Sequence, residues 1–292
     1  MIVTFDLKST DIECAQHCND RVCAILFKDG KLDQVGRRLN RLTRGFLDRI
    51  RKDENFFERK SGDIVSLPFP PGMATSALDL LIIDRISSTE ELRAAGAALG
   101  RHVGSQNTLI LMGSLKKAYN FMLGCALRLY SFESHSTRGS TGIPGELTFM
   151  HNNSSSLNSD MVTLKAVVSG VHFTRDLVNE PANILTTNEF ARRLKELEEL
   201  GIQVEVIDEE RMAKLGMEAL LCVGRGSSSP SKMVIMHWKG DSETKPPLVL
   251  VGKGVVFDTG GISLKNASGM PEMIMDMGGA GVVAGTLKTL AL

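Results

Sequence analysis

No stretch of this 292-residue chain stays apolar over the ~20 residues that a membrane-spanning helix needs, which excludes a helical membrane span. The start, Met1 to Thr10, lacks the basic residues and the apolar run of an export signal, so a cytoplasmic protein is expected. Net charge is also missing. Lys plus Arg and Asp plus Glu stand at 34 each, so no global field recruits nucleic acid or an anionic membrane, although local patches remain open. The five cysteines, Cys14, Cys18, Cys23, Cys125 and Cys222, are odd in number and never spaced C-x-x-C. That pattern suits a reducing compartment rather than a disulfide framework. Cys14, His17, Cys18 and Cys23 form a zinc-like composition, but Val22 to Phe27 reads as a core strand that would bury Cys23, so no zinc site is expected. None of the other histidines (His102, His135, His151, His172) shows H-E-x-x-H spacing, and His237 beside Trp238 reads as core or strand edge. Internal repeats are absent.

What is present is alternation. Ile2 to Leu7, Arg21 to Phe27, Asp63 to Leu67, Leu78 to Ile86 and Thr108 to Met112 are short aliphatic runs with helical patterns between them. The clearest helix starts at Ser88, which caps Glu90 and Glu91 and leads to Val103. Strands alternating with helices predict an α/β layer with a parallel or mixed sheet. A helix is expected over Lys116 to Phe132. Ser134 to Ser159 then collects small and polar residues around Leu147 to Met150, and reads as a domain junction or a protruding hairpin. A long helix over Val162 to Asn179 follows, then a helix opened by Thr186 and Glu189 and stopped by Gly201. Gln203 to Ile207, Lys232 to Trp238 and Pro247 to Lys253 read as strands, with a helix at Glu209 to Leu215. Gly224 to Pro230 reads as a flexible turn rather than a phosphate loop. The expected organisation is an N-terminal α/β domain over 1–150, a linker helix and interdomain segment over 151–185, and a second domain over 186–292.

The chemistry concentrates at Val251-Gly-Lys253-Gly-Val-Val-Phe-Asp258-Thr-Gly-Gly-Ile-Ser-Leu-Lys265, followed by Met270 and Asp276-Met-Gly-Gly. Two lysines and two aspartates, spaced by glycines, fall within 24 residues behind an apolar run, and histidine is absent. Carboxylates beside lysines on a sharply turning backbone suit a hard divalent cation with a positive electrophile next to it. A lysine ligates a metal only as the neutral amine, so its pKa must be strongly depressed, as a neighbouring dication does. On this reading Lys253 is such a ligand, Asp258 bridges two ions, Asp276 enters from the next element, and Lys265 stays protonated to polarise a carbonyl. A phosphate loop of the form G-x-x-x-x-G-K-[ST] fails, because Gly254 follows Lys253.

This string resembles the leucyl aminopeptidase family of dinuclear metallopeptidases, whose pattern runs V-G-K-G-x-x-F-D-T-G-G-I-S-x-K, then M, then D-M-G-G. Arg175-Asp-Leu-Val-Asn-Glu-Pro181-Ala-Asn-Ile-Leu-Thr186 resembles the family's interdomain segment, and Leu123 to Phe132 the end of its N-terminal domain. The departures, Asn266 for a frequent Pro, Ile274 for Lys or Arg and Gly281 for Ala, miss the ligand positions. The resemblance implies two α/β domains, the first smaller and mixed-sheet, the second a metallopeptidase domain with a central sheet flanked by helices. It implies two divalent ions, zinc or manganese, held by Lys253, Asp258 and Asp276. It also implies a catalytic Lys265 that stabilises a tetrahedral gem-diolate, with Met270, Lys265 and Asp276 facing substrate. Its implied partners are peptides with a leucine-like first residue and a homohexamer of two stacked trimers, with no membrane.

The family draws further acidic ligands and an arginine from a later N-T-D-A-E-G-R motif, which does not occur in these 292 residues. The expectation is therefore a fragment of an aminopeptidase, inactive alone, with the catalytic domain incomplete. The alternative expectation comes from relatives that act as DNA-binding regulators: a non-catalytic DNA-binding or regulatory protein. Neutral net charge weighs toward the enzyme.

Overall fold

The computed structural model describes residues 3–137, 144–241 and 246–292, and these divide into two compact units, 1–168 and 169–292. Unit 1 contains β1 (Phe5–Ser9), α1 (Ile12–His17), β2 (Arg21–Phe27), α2 (Gln34–Leu42), α3 (Phe46–Arg51), β3 (Ile64–Pro68) and β4 (Ala77–Ile83). It continues with α4 (Thr89–Val103), β5 (Thr108–Gly113), α5 (Ala118–Arg128), β6 (Leu147–His151) and the first part of α6 (Asn158–Asn179). Its six strands are ordered β1-β6-β5-β2-β4-β3. All neighbours are parallel except β3, which runs antiparallel to β4, so the sheet is mixed as the alternation predicts.

Parallel strands covered on both faces read as continuous apolar runs. In β2 the residues divide by pleat. Cys23, Ile25 and Phe27 share a core with Leu99 of α4, Phe121 of α5 and Leu164 of α6, whereas Val22, Ala24 and Leu26 share one with Ile12, Leu39 and Leu47 of α1 to α3. The cysteines of the Cys14, His17, Cys18 and Cys23 cluster are divided: Cys23 lies inside the first core while Cys14 is exposed, and burial pushes the Cys23 thiol well above its ordinary pKa. Ser88 forms a full capping box on α4, its Oγ accepting from the Glu91 N–H (3.2 Å) while its own N–H donates to Glu91 Oε2 (2.7 Å). Helices α4 and α5 touch backbone to backbone. A Cβ on Gly124 would lie 2.1 Å from the Arg93 carbonyl oxygen, and one on Gly96 would lie 2.1 Å from that of Phe121.

One expectation is overturned here. Leu147 to Met150 is neither junction nor hairpin but the core of β6, an interior strand between β1 and β5. Leu147 and Phe149 enter one core and Met150 the other, and filling both faces outweighs the polar flanks. Part of the expected junction, 138–143, falls outside the described residues.

Unit 2 holds the end of α6, then α7 (Thr187–Lys195), whose first turn is capped by Thr186 Oγ1 accepting from the Glu189 N–H at 3.3 Å. A 3-10 stretch, Glu196–Leu200, ends at Gly201 in the left-handed region, φ 82°. After it come β7 (Gln203–Ile207), α8 (Glu209–Lys214), α9 (Glu218–Gly224), β8 (Met233–His237), a 3-10 run Ala267–Met277 and α10 (Gly278–Ala291). Strands β7 and β8 pair antiparallel. The strand expected over Pro247 to Lys253 does not form. Leu248, Val249 and Val251 are 86%, 73% and 92% exposed, and no described strand bonds to them. An apolar run becomes a strand only when a neighbour supplies the ladder. No helix among the described residues is long and apolar enough to cross a membrane.

Candidate functional site

The motif folds into two carboxylate–lysine pairs joined by one tight loop. Asp258 Oδ1 accepts the N–H of Gly260 at 2.8 Å, and Gly260 and Gly261 take φ of 89° and 72°, a turn that a side chain would strain. The Lys265 N–H closes the loop on the Thr259 carbonyl at 2.9 Å, which returns Lys265 to Asp258, Nζ to Oδ2 3.3 Å. The 3-10 run then carries half-buried Met270 and reaches Asp276, whose Oδ1 meets Lys253 Nζ at 2.8 Å. Helix α10 follows without a break. Its Ala280 N–H donates to the Lys253 carbonyl at 2.9 Å, and it is anchored by fully buried Met277 and by Thr174 Oγ1, which donates to the Gly281 carbonyl at 3.1 Å.

The four charges act on one another. The hydrogen bond and charge of Asp276, aided by Asp258, raise the pKa of Lys253. The Gly260 N–H, then Lys265 and Lys253, lower that of Asp258. The direction at Lys253 is opposite to what ligation by a neutral amine requires, because here a carboxylate holds the proton in place. For Lys253 to ligate, a dication must take the proton's place.

Asp276 carries the test of whether these residues fit such an ion. Its Oδ1 is satisfied, but its Oδ2 is buried with no hydrogen-bond partner. A buried carboxylate oxygen left without a donor is costly, and a divalent cation relieves that cost. Two carboxylates and an amine suit a hard or borderline divalent ion. The residues therefore fit one ion, but the set is sparse: among the described residues no group of three His, Cys, Asp or Glu could hold a metal.

Two cavities are lined by residues outside the motif. One of about 470 Å³ runs along the outer face of β7–β8, lined by Glu205, Ile235 and His237, and one of about 370 Å³ lies beside α1 and α2, lined by Arg38 and Arg41. The motif is an open surface: the Lys253 and Lys265 side chains are 59% and 40% exposed. Of the residues that the sequence singled out, the structure pairs Lys253 with Asp276 and Lys265 with Asp258, and it adds supports at Thr174 and Ala280, on helices, of which the spacing gave no sign. Gly224 is the last residue of α9, and the turn expected over Gly224 to Pro230 begins only after it, at Arg225.

Residues 172–292 match the catalytic domain of the cytosol aminopeptidase family. A probable cytosol aminopeptidase of Cereibacter sphaeroides is 46% identical over 290 residues, 99% of this chain and 59% of that protein. Among solved structures, the bottromycin maturation enzyme BotP in complex with Mn aligns with a TM-score of 0.68 at 27% identity, over 94% of this chain and 56% of that one. A mutant of tomato leucine aminopeptidase aligns with a TM-score of 0.78 at 23% identity, over 99% and 59%, which speaks to the fold. This chain thus spans little more than half the length of the proteins it matches.

Proposed function

Starting from a chain that belongs to the cytosol aminopeptidase family, we propose that residues 253–276 are part of the active site of a metal-dependent aminopeptidase that releases N-terminal, leucine-like residues. The observation that carries this reading is the orphaned Oδ2 of Asp276, whose other oxygen meets Lys253, a lysine that also feels the charge of Asp258. In this reading Lys253, Asp258 and Asp276 hold the cation, zinc or manganese. When bound, it supplies Lewis acidity toward the scissile carbonyl and toward water. Lys265 keeps its proton and donates to the oxygen on which charge develops, while Met270 lines the substrate's side of the loop. The pairing of Lys265 with Asp258 holds its ammonium at the loop mouth before substrate arrives. Peptide substrates, a homohexamer and a cytoplasmic location go with this reading.

Three donor side chains are too few for two ions that each also hold water and substrate. We therefore propose that the 292 residues alone hold one ion weakly and do not turn over peptide. A chimera in which they replace the matching part of the Cereibacter sphaeroides relative tests both statements. Leucine amide hydrolysis should appear in the chimera, vanish on chelation and return with manganese or zinc. Asp258→Ala should abolish it. Lys265→Ala should lower kcat by roughly two to three orders of magnitude with metal content unchanged. Full activity after exhaustive chelation, or turnover by the 292-residue chain at ~1 to 10³ s⁻¹, would overturn the reading.

The DNA-binding alternative has one feature in its favour: Arg37, Arg38, Arg41, Arg44, Arg49 and Lys52 are all exposed on and around α2 and α3. Retention on duplex DNA that weakens steeply with salt would support it, and no retention at low salt would dismiss it.

A further inference from the structure

Two glycines of the motif have neighbours that their spacing does not announce. An ideal Cβ on Gly252 would lie 2.5 Å from the carbonyl oxygen of Gly279 and 2.6 Å from the nitrogen of Ala280. One on Gly279 would lie 3.0 Å from the nitrogen of Lys253. These neighbours are backbone atoms of the other segment, which cannot swing aside as a side-chain tip would. The glycines next to them in sequence are different. A Cβ on Gly254 would meet only the Ala280 methyl at 3.4 Å, and one on Gly278 only Val178 Cγ2 at 3.9 Å, both ordinary contact, and neither glycine has positive φ.

We propose that Gly252 and Gly279 are positioning residues: their bare α-carbons interlock the segment entering Lys253 with the first turn of α10, and this contact sets the Lys253–Asp276 pair. The Ala280 N–H bond to the Lys253 carbonyl sits in the same contact, and Asp276 lies three residues before Gly279 at the entrance to α10. A methyl at either glycine forces the two backbones apart and carries Lys253 Nζ out of reach of Asp276 Oδ1. The Lys265–Asp258 pair is closed by the loop's own Thr259–Lys265 hydrogen bond and does not depend on the interlock. The consequence for cation binding rests on the proposed function, whereas the interlock does not.

The test is zero-length carbodiimide cross-linking of the metal-free chain, read by peptide mass spectrometry, in Gly252→Ala, Gly279→Ala, Gly254→Ala and Gly278→Ala. Coupling of an amine to a carboxylate depends steeply on their contact. The Lys253–Asp276 product should therefore fall roughly tenfold in Gly252→Ala and in the milder Gly279→Ala. The Lys265–Asp258 product should persist in both as an internal control. Gly254→Ala and Gly278→Ala should keep both products. Parent-level Lys253–Asp276 product in Gly252→Ala and Gly279→Ala overturns the inference, as does loss in all four variants, which would mean chain flexibility, or loss of both products together. Manganese titration of the same proteins separates the two ideas. A fall in affinity of roughly tenfold in the first pair only supports both, since outer supports of metal ligands act on that scale. An unchanged affinity beside a lost cross-link leaves the interlock standing and removes Lys253 from the ligands.

Discussion

Asp79 in β4 is the residue whose chemistry most contradicts its surroundings: a fully shielded carboxylate in the run Leu78-Asp-Leu-Leu-Ile. It receives Arg21 of β2 through two nitrogens, the Ser66 hydroxyl at 2.5 Å and His102 Nε2 at 3.1 Å. Ser66 and Asp79 both meet the same ring nitrogen of His102, so the trio is not a relay for activating the serine. Burial pushes the Asp79 pKa up, but hydrogen bonds from Arg21 and Ser66 and the charges of Arg21 and His102 outweigh it, leaving the pKa below the ordinary carboxylate value. A depressed carboxylate stabilises the fold fully above its unfolded pKa near ~4, and that stabilisation is lost as pH falls through the folded value. Urea unfolding from pH 7 to pH 3 should therefore show a steep acid loss that is shallower in Asp79→Asn. The variant should be less stable at neutral pH by about 3 kcal/mol, the scale for removing one partner of a buried pair. Equal acid slopes in the two proteins would refute the assignment. This cluster was not legible in the sequence, because its partners lie 13 to 58 residues from Asp79. The candidate site was legible because its four charged residues lie on one short loop and its continuation.

Elements divide in the same way. Strands β2 and β7 stand where the aliphatic runs place them, at Arg21–Phe27 and Gln203–Ile207, and α4 starts at its capping box. β6 was misread because a five-residue strand among Ser, Thr, Asn and Gly declares itself only through neighbours more than thirty residues away. Packing between helices was also hidden. Gly124 reads as an ordinary helix-weakening residue, where Ala would gain about 1 kcal/mol of propensity. In the fold, a methyl there would press on the Arg93 carbonyl, and overpacking of this kind costs roughly 1 to 3 kcal/mol or more. Gly124→Ala should therefore lower Tm, against the propensity rule. Gly269→Ala, where nothing lies within 4 Å, should not. An unchanged or raised Tm in Gly124→Ala would mean that α4 and α5 are farther apart than described.

Across the whole chain the two units differ in how well their apolar residues are covered. Unit 1 closes its sheet between two cores, whereas the run from Leu248 to Leu264 leaves Leu248, Val251 and Ile262 86%, 92% and 108% exposed, without ladder bonds. Backbone lacking such bonds opens at little cost and is where proteases cut first. Brief chymotrypsin or elastase treatment should cut within 248–264 before it cuts any strand of unit 1. First cuts inside β2, β4 or β5 would contradict this order. The sequence marked Pro247 to Lys253, at the start of this run, as a strand because apolar pattern reports what a segment can bury, not whether a partner is there to bury it.

The sheet of unit 1 also sets a schedule. Among the described residues β1 is an edge strand whose one neighbour is β6, with Phe5 paired to Leu147. A ribosome adding ~5 to 20 residues per second needs roughly 7 to 30 s to travel between those two residues. Once Phe5 and Leu7 clear the exit tunnel they have no strand to join until β6 follows, whereas β2, β3, β4 and β5 can pair with one another as each emerges. Of the six described strands of this sheet, the earliest made is thus placed only when the latest arrives, and in a crowded cell that wait is the time during which a chaperone has something to hold.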